Sequence, residues 1–120
     1  MDLLNLFKND EETLTITAGE LLFREKHRGD VMYVVLEGEI EIRVRDELID
    51  LAQPGDVVGE MALIDAHKRS ATAIARQESK LVCLDEEKFL RMVKKQPHFA
   101  LDVMRILARR LRKMNKLFYG

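Results

Sequence analysis

The sequence predicts a mainly β fold, a sandwich or barrel of antiparallel strands, with helices confined to the last third of the chain. The first two-thirds consists of short segments that are rich in β-type residues or that alternate between apolar and polar side chains. Turn residues separate these segments at intervals of about ten residues, without helical patterns between them. An apolar stripe with helical spacing occurs only near the end of the chain.

Seven segments carry the strand pattern, namely residues 13–16, 21–23, 32–36, 40–44, 48–52, 70–75 and 80–84. The turns between them contain Gly19, Gly29, Gly38 and Gly55, the last within a Gln-Pro-Gly-Asp turn. Strict alternation over residues 40–44 predicts that one face of this strand contacts water. The apolar neighbours of Cys83 indicate a buried strand position for that residue.

Two helices are expected after the last strand, over residues 85–95 and 98–118. Asp85 is a suitable N-cap, because its carboxylate can accept from an N–H of the first turn. Glu86 and Glu87 follow at positions where the helix dipole favours acidic side chains. Pro97 ends the first helix and can begin the second one.

The second helix carries an apolar stripe with gaps of three and four residues, the spacing of a coiled-coil seam over about two heptads. Its members are Met104, Leu107, Leu111, Met114 and Phe118. Two interpretations of this stripe stay open. It can form a weak homodimer through residues 99–118, with Leu107, Leu111 and Met114 at the contact, or it can pack onto the β-structure of its own chain.

Composition predicts one domain over residues 1–120, with a hydrophobic core of its own. Hydrophobic residues make up 47% of the chain and charged residues 34%, which is typical of a soluble globular protein. No apolar run approaches the length of a membrane span, and Asp2 stands where a secretory signal carries basic residues. The single cysteine cannot form an internal disulfide. We therefore expect a cytoplasmic protein that is not inserted in a membrane.

The charge is unevenly distributed along the chain. Residues 1–60 carry 15 acidic and 6 basic residues, a net charge of −9, whereas residues 61–120 carry 6 acidic and 14 basic residues, a net charge of +8. The second half can therefore attract an anion locally. Its last helix contains a basic run that we interpret as a solvated helix face: Arg105, Arg109, Arg110, Arg112, Lys113 and Lys116. DNA binding is not expected unless the chain is a fragment, because no helix-turn-helix follows before Gly120.

The most informative stretch is residues 59–75. It contains a glycine and a carboxylate, a short apolar turn, an arginine nine residues after the carboxylate, and two small residues: Gly59, Glu60, Met61, Ala62, Arg69, Ser70 and Ala71. The N–H groups of a short helical turn beginning at Glu60 or Met61, together with one guanidinium, can bind an anion. The carboxylate can accept hydrogen bonds from hydroxyls. A phosphate joined to a ribose fits this combination.

This stretch resembles the phosphate-binding cassette of cyclic nucleotide-binding domains, which occur in catabolite-activator-type regulators, kinase regulatory subunits and cyclic-nucleotide-gated channels. The contexts Gly-Glu-x-Ala-Leu and Arg-Ser-Ala carry the resemblance, and the turn glycines extend it from residue 14 to the C-terminus. The resemblance implies an antiparallel β-jelly roll with C-terminal helices. It also implies a non-catalytic, stand-alone sensor whose ligand is cAMP or cGMP, with no further cofactor. Its readout would be an effector protein or a change in self-association.

The resemblance further implies a role for each residue of the site. Glu60 would accept from the ribose 2′-hydroxyl, and Arg69 would pair with the cyclic phosphate. The backbone amides around Met61, Ala62 and Ala71 would complete the anion site, and Gly59 would allow close approach of the ligand. Ser70 either contacts the phosphate or a guanine, or is an ordinary strand serine, so it does not separate cAMP from cGMP.

The chain departs from the family pattern at two places. Val58 stands where many members have phenylalanine, which changes wall packing without removing a polar contact. The last helix contains no Ser or Thr that could close over a purine. Contacts with the purine would then come from Met114, Leu111 or a neighbouring apolar side chain.

The sequence is also compatible with other functions. A degenerate domain that binds no nucleotide could serve in dimerisation or docking, with Glu60 and Arg69 forming a salt bridge across a surface turn. The chain could also be a piece of a channel or regulator. His27, His67 and His98 lie far apart and form no metal-binding pair, so we expect neither a metal site nor a cupin enzyme. No arrangement typical of nucleophilic catalysis is evident either.

Overall fold

The computed structural model describes residues 3–65 and 68–119. Within these ranges the strands are β1 (Thr13–Ile16), β2 (Leu21–Phe23), β3 (Val31–Glu37), β4 (Ile40–Val44), β5 (Glu47–Ala52), β6 (Val57–Val58), β7 (Thr72–Ala75) and β8 (Ser79–Asp85). The helices are α1 (Leu3–Phe7), α2 (Met61–Ile64), α3 (Glu86–Lys95) and α4 (His98–Tyr119).

The strands form two four-stranded sheets, in the orders β1-β8-β3-β6 and β2-β7-β4-β5. All the pairings within the two sheets are antiparallel. The prediction of a mainly β jelly roll with C-terminal helices is therefore confirmed.

Strand β3 is buried on both faces of its sheet. Tyr33 and Val35 of β3 point into a cluster between the two sheets. Met32, Val34 and Leu36 point into a second cluster, which α1, α3 and α4 cover from the other side. Because successive side chains of a strand point to opposite faces, burial of both faces accounts for the unbroken apolar run of β3.

The strand bounds differ from the predictions at a few places. The segment predicted at 70–75 forms a strand only from Thr72, and Ser70 lies in a bend before it. The two-residue strand β6 and the helix α1 were not predicted. Cys83 lies in β8 as expected, but its side chain is only partly buried.

The two C-terminal helices lie over the second cluster. The side chain of Asp85 accepts a hydrogen bond from the Lys88 backbone N–H at 2.8 Å, so the predicted N-cap is confirmed. The Lys88 ammonium donates to Asp10 at 2.9 Å and to Glu12 at 3.0 Å, which joins α3 to the segment after α1. No helix of the described residues is long and apolar enough to cross a membrane.

Some residues of the apolar stripe of α4 pack against the core clusters, and others are exposed. Leu107 packs on the second cluster, and Met114 and Phe118 pack on the first. Met104 and Leu111 keep 56% and 60% of their surface exposed. Packing on the β-structure thus accounts for three members of the stripe, and the homodimer stays a prediction that depends on the other two.

Candidate functional site

The chain bends at Gly59, between β6 and α2. Gly59 has a φ of +78°, a conformation that side chains with a Cβ adopt only with strain. The following turn is helical over Met61–Ile64, as the sequence predicted, and the Ala62 N–H donates to the carbonyl of Gly59 at 3.2 Å. Glu60 is thereby held at the start of this turn, with only 5% of its surface exposed.

A cavity of about 350 Å³ lies between this turn, the sheet of β4 and β5, and helix α4. Its volume falls in the range of small-molecule sites. The sequence-predicted residues all line it: Gly59, Glu60, Met61, Ala62, Arg69, Ser70 and Ala71. The remaining lining side chains are Phe23, Ile42, Val44, Ile49, Val58, Leu107, Arg110, Leu111 and Met114.

Arg69 is buried in the wall of this cavity, with 5% of its surface exposed. Its Nη1 donates to the carbonyls of Val31 at 2.7 Å and Gly59 at 3.1 Å. The guanidinium carbon lies 4.3 Å from the centre of the Phe23 ring, a cation–π geometry. Its Nε is a buried donor without a partner in the described residues. Burial lowers the pKa of Arg69, against the raising effects of Tyr33, Asp30 and Glu60.

Two glycines make room for this guanidinium. A Cβ atom added at Gly29 would lie 2.2 Å from Arg69 Nε, and one added at Gly59 would lie 2.6 Å from Nη1. Both distances are too short for any real contact, so a side chain at either position would displace the guanidinium. The absence of a side chain at both glycines therefore helps to position Arg69.

The carboxylate of Glu60 is paired with Arg110, at 2.7 Å between Oε1 and Nη1. Arg69 instead donates to backbone carbonyls, so the alternative of a Glu60–Arg69 salt bridge across a surface turn does not describe this geometry. Burial raises the pKa of the Glu60 carboxyl, and the Arg110 guanidinium opposes this effect. The sequence analysis did not include Arg110 in the site.

The interpretation of the α4 basic run as a solvated face is wrong for Arg110, which keeps only 7% of its surface exposed. Besides Glu60, it donates through Nε to Asp50 at 3.1 Å and through Nη2 to the carbonyl of Val57. The helical spacing gave one signal, because Arg110 lies three residues after Leu107 and four before Met114, on the face that lines the cavity.

Asp50 joins α4 to β5. Its side chain is 2% exposed and contacts three cations, at 2.6 Å from Lys113, 3.1 Å from Arg110 and 3.5 Å from Arg109. Burial alone would raise the pKa of Asp50. The hydrogen bonds from Lys113 and Arg110 outweigh it and hold the pKa below its usual value. Arg109 also reaches Asp56 at 3.1 Å, so it too is partly engaged with the β-structure.

The remaining candidate residues have simpler surroundings. Ser70 is exposed, and Ala71 packs against the first cluster. His27 and His98 are exposed, while His67 lies outside the described residues. Within residues 3–65 and 68–119, no group of three or more His, Cys, Asp or Glu side chains is placed to hold a metal ion.

The chain shows clear similarity to known proteins. Residues 13–96 match the family described as cyclic nucleotide-binding domain. The cyclic AMP receptor protein of Thermus thermophilus is 31% identical over 99 residues, which cover 78% of this chain and 46% of that protein. This chain thus spans less than half the length of that curated relative.

Solved structures show the same likeness. The catabolite activator protein of Thermus thermophilus has a TM-score of 0.74 and 30% identity, with 86% of this chain and 51% of that chain covered. A structure described as cAMP-bound PfPKA-R (141–441) has a TM-score of 0.76 and 25% identity, with 88% of this chain and 36% of that chain covered.

Proposed function

We propose that this chain, which belongs to the cyclic nucleotide-binding domain family, binds cAMP or cGMP in the cavity beside Arg69 and acts as a non-catalytic regulatory domain. The observation that carries the proposal is the buried Arg69 guanidinium, whose Nε has no acceptor in the described residues. A buried donor without a partner costs free energy, and a ligand oxygen can remove that cost.

A cyclic phosphate suits this arginine better than an uncharged ligand. It carries one negative charge, and a guanidinium offers a planar set of donors to its oxygens. Nη1 of Arg69 is already fixed by the two carbonyls, so the guanidinium is held in place before the ligand arrives. Preorganisation of this kind reduces the entropy cost of binding.

The ribose is assigned to Glu60. One carboxylate can accept several hydrogen bonds. Glu60 can therefore accept a hydrogen bond from the ribose 2′-hydroxyl while Arg110 keeps its hydrogen bond to Oε1. The hydroxyl would then contact an ion pair that joins α2 to α4. Ligand binding is thereby coupled to the position of α4, provided that the two arrangements of the helix differ in affinity for the ligand.

We assign to α4 the surface through which ligand binding is passed on to a partner. Its exposed apolar residues Met104 and Leu111 offer a surface for a partner protein or for a second copy of the chain through residues 99–118. The cytoplasmic location and the lack of DNA contacts by this segment are parts of the same proposal. They rest on the composition and on the pairing of Arg110 with Asp50 and Glu60, which removes one cation from the exposed basic run of α4.

The melting temperature tests the proposal. A ligand at one hundred times its dissociation constant stabilises the folded state by about 2.7 kcal/mol. For a domain of this size the melting temperature should rise by about 8–13 °C with cAMP or cGMP. The open, dianionic phosphate of 5′-AMP should produce a much smaller rise. No rise with either cyclic nucleotide at millimolar concentration, in protein freed of bound ligand, would favour the docking module instead.

A further inference from the structure

We propose that a groove between the edge strand β5 and the basic face of α4 binds an extended acidic segment of a partner protein. The groove is separate from the cavity beside Arg69, since Ile49 is the one described residue that lines both. This interaction goes beyond the proposed function and does not depend on it, because no nucleotide enters its test.

Strand β5 forms an open edge of its sheet. It stands last in the order β2-β7-β4-β5, and within the described residues it pairs with β4 alone. A groove of about 480 Å³ lies at this edge, and the consecutive strand residues 48–51 line one wall of it. Because successive side chains of a strand point to opposite faces, lining by consecutive residues shows that the groove follows the edge of the sheet. Open strand edges are recurrent docking sites for extended segments.

Helix α4 supplies the opposite wall of the groove and a row of cations. Arg109 and Lys113 line the groove, and both side chains are about half exposed. The same two residues line an adjoining hollow of about 570 Å³, which Arg112 and Lys116 also line. Residues spaced three, four and seven positions apart share one face of a helix. The four cations therefore form a row about 10 Å long beside the strand.

The charges along this surface favour an acidic occupant. Arg112 and Lys116 are exposed, and neither forms an ion pair with another residue in the described part of the chain. Across the groove and the hollow, the four cations face two carboxylates, those of Asp50 and Asp56. The surplus positive charge can attract the carboxylates of an incoming segment, and salt should screen this attraction.

The hydrogen bonds of the strand edge restrict how a segment can bind. The Leu51 N–H donates to the Asp50 carboxylate at 3.0 Å, and the Gln53 N–H donates to Asp56 at 2.9 Å. These two N–H groups are engaged, so ion pairs with α4 must supply much of the recognition. Alternate side chains of an extended segment lie on one side, about 7 Å apart. Acidic residues at every second position would therefore face the row of cations.

Other occupants fit this groove less well. A nucleic acid carries a charge on every residue, so some of its phosphates would face Asp50 and Asp56, whereas the uncharged residues of an alternating segment can lie there. A flat lipid surface does not enter a groove between a strand and a helix. A second copy of this chain offers the acidic residues 10–12, but Asp10 and Glu12 are already paired with Lys88. An acidic segment of another protein is the occupant that these observations favour.

Two-dimensional ¹H–¹⁵N NMR of the full chain, titrated with a decapeptide of alternating Glu and Thr, tests the proposal. The amide signals of residues 48–53 and 109–116 should shift, while those of the other sheet's edge strand β1 should not. A decapeptide of alternating Gln and Thr is the control and should cause no shifts. The affinity for the acidic peptide should fall about tenfold when the salt concentration rises from about 50 to about 300 mM. The absence of shifts at the groove would overturn the proposal.

Two double variants with the same change in net charge separate the groove from general charge attraction. Arg112→Gln/Lys116→Gln removes two cations of the hollow, and Arg91→Gln/Arg105→Gln removes two exposed cations outside it. The first should weaken binding of the acidic peptide by about 3- to 20-fold, and the second by less than about twofold. Equal losses in the two variants would overturn the proposal.

The same titrations distinguish the other occupants. A single-stranded oligonucleotide, or vesicles that contain phosphatidylserine, should bind more weakly than the acidic peptide at the same salt concentration. Tighter binding of either one would overturn the assignment of an acidic protein segment. Self-association of the parent that Arg112→Gln/Lys116→Gln abolishes would overturn it too, since the occupant would then be a second copy of the chain.

Discussion

Replacement of Gly29 by alanine should weaken ligand binding as much as removal of Arg69 itself. The added Cβ would lie 2.2 Å from Nε and 2.3 Å from Cζ of Arg69. The backbone of Gly29 lies outside the left-handed region, so alanine brings no backbone strain of its own. The conflict is with the end of a flexible side chain. The guanidinium should therefore move away while the protein stays folded.

The expected magnitude follows from the contacts that the guanidinium would lose. A ligand phosphate without its charged partner loses about 2–4 kcal/mol, or about 30- to 700-fold in affinity. The folded state loses the hydrogen bonds to Val31 and Gly59 and the contact with Phe23. Because the displaced guanidinium can be solvated, we expect the free energy of unfolding to fall by only about 1–3 kcal/mol.

A double-mutant cycle by calorimetric titration with cAMP measures the effect. In the Arg69→Ala background the clash is absent, so Gly29→Ala should cost no further affinity and the two effects should be far from additive. Gly19→Ala is the matched control, since Gly19 has a φ of +85° and nothing within 4 Å of an added Cβ. It should lower stability by about 1–2 kcal/mol and leave affinity unchanged. Parental affinity in Gly29→Ala, or additive losses in the double variant, would refute the reasoning.

Three further predictions concern Glu60, Asp50 and the exposed part of α4. Glu60→Ala should weaken cAMP binding by about 1–3 kcal/mol while leaving the affinity for 2′-deoxy-cAMP nearly unchanged, and equal losses for both ligands in calorimetry would contradict the ribose assignment. Asp50→Asn should lower the free energy of unfolding by about 2–3 kcal/mol at pH 7. Because the pKa of Asp50 is lowered in the folded state, the stability difference between the parent and Asp50→Asn should be largest above the unfolded-state pKa of about 3.9. It should become smaller as the pH falls through the folded-state pKa. If urea unfolding gives the same stability difference at pH 7 and at pH 3, the ion-pair account is refuted. Sedimentation should detect a weak dimer of the parent that Leu111→Glu abolishes, and a parent that is monomeric at high micromolar concentration would exclude it.

The parts of the fold that the sequence predicted are those with local signals. Asp85 caps α3 by accepting from the N–H of Lys88, three residues later. The alternation of apolar and polar residues in β4 shows which side chains face the core. Strand β6 has only two residues, and its register comes from pairing Val57 and Val58 with β3. No local pattern of that length predicts a strand, because its stability comes from a distant partner.

The same limit explains the missed part of the candidate site. In the sequence, Arg110 cannot be distinguished from the other cations of the basic helix. The two acidic residues that pair with it in the structure lie 50 and 60 residues earlier in the chain. Arg69 and Glu60 were identified because the small residues around them, Gly-Glu-x-Ala-Leu and Arg-Ser-Ala, stand in the order typical of the family. The Arg110 pairing has no such order, and only the fold of α4 over β5 brings the three side chains together.

The most direct test of the central claim is calorimetric titration of the ligand-free chain with cAMP and cGMP, beside Arg69→Ala shown to be folded by circular dichroism. The proposed function predicts one ligand per chain for both nucleotides, and a loss of about 30- to 700-fold in affinity for the variant. The absence of binding by the parent, or an equal affinity in the folded variant, would contradict it.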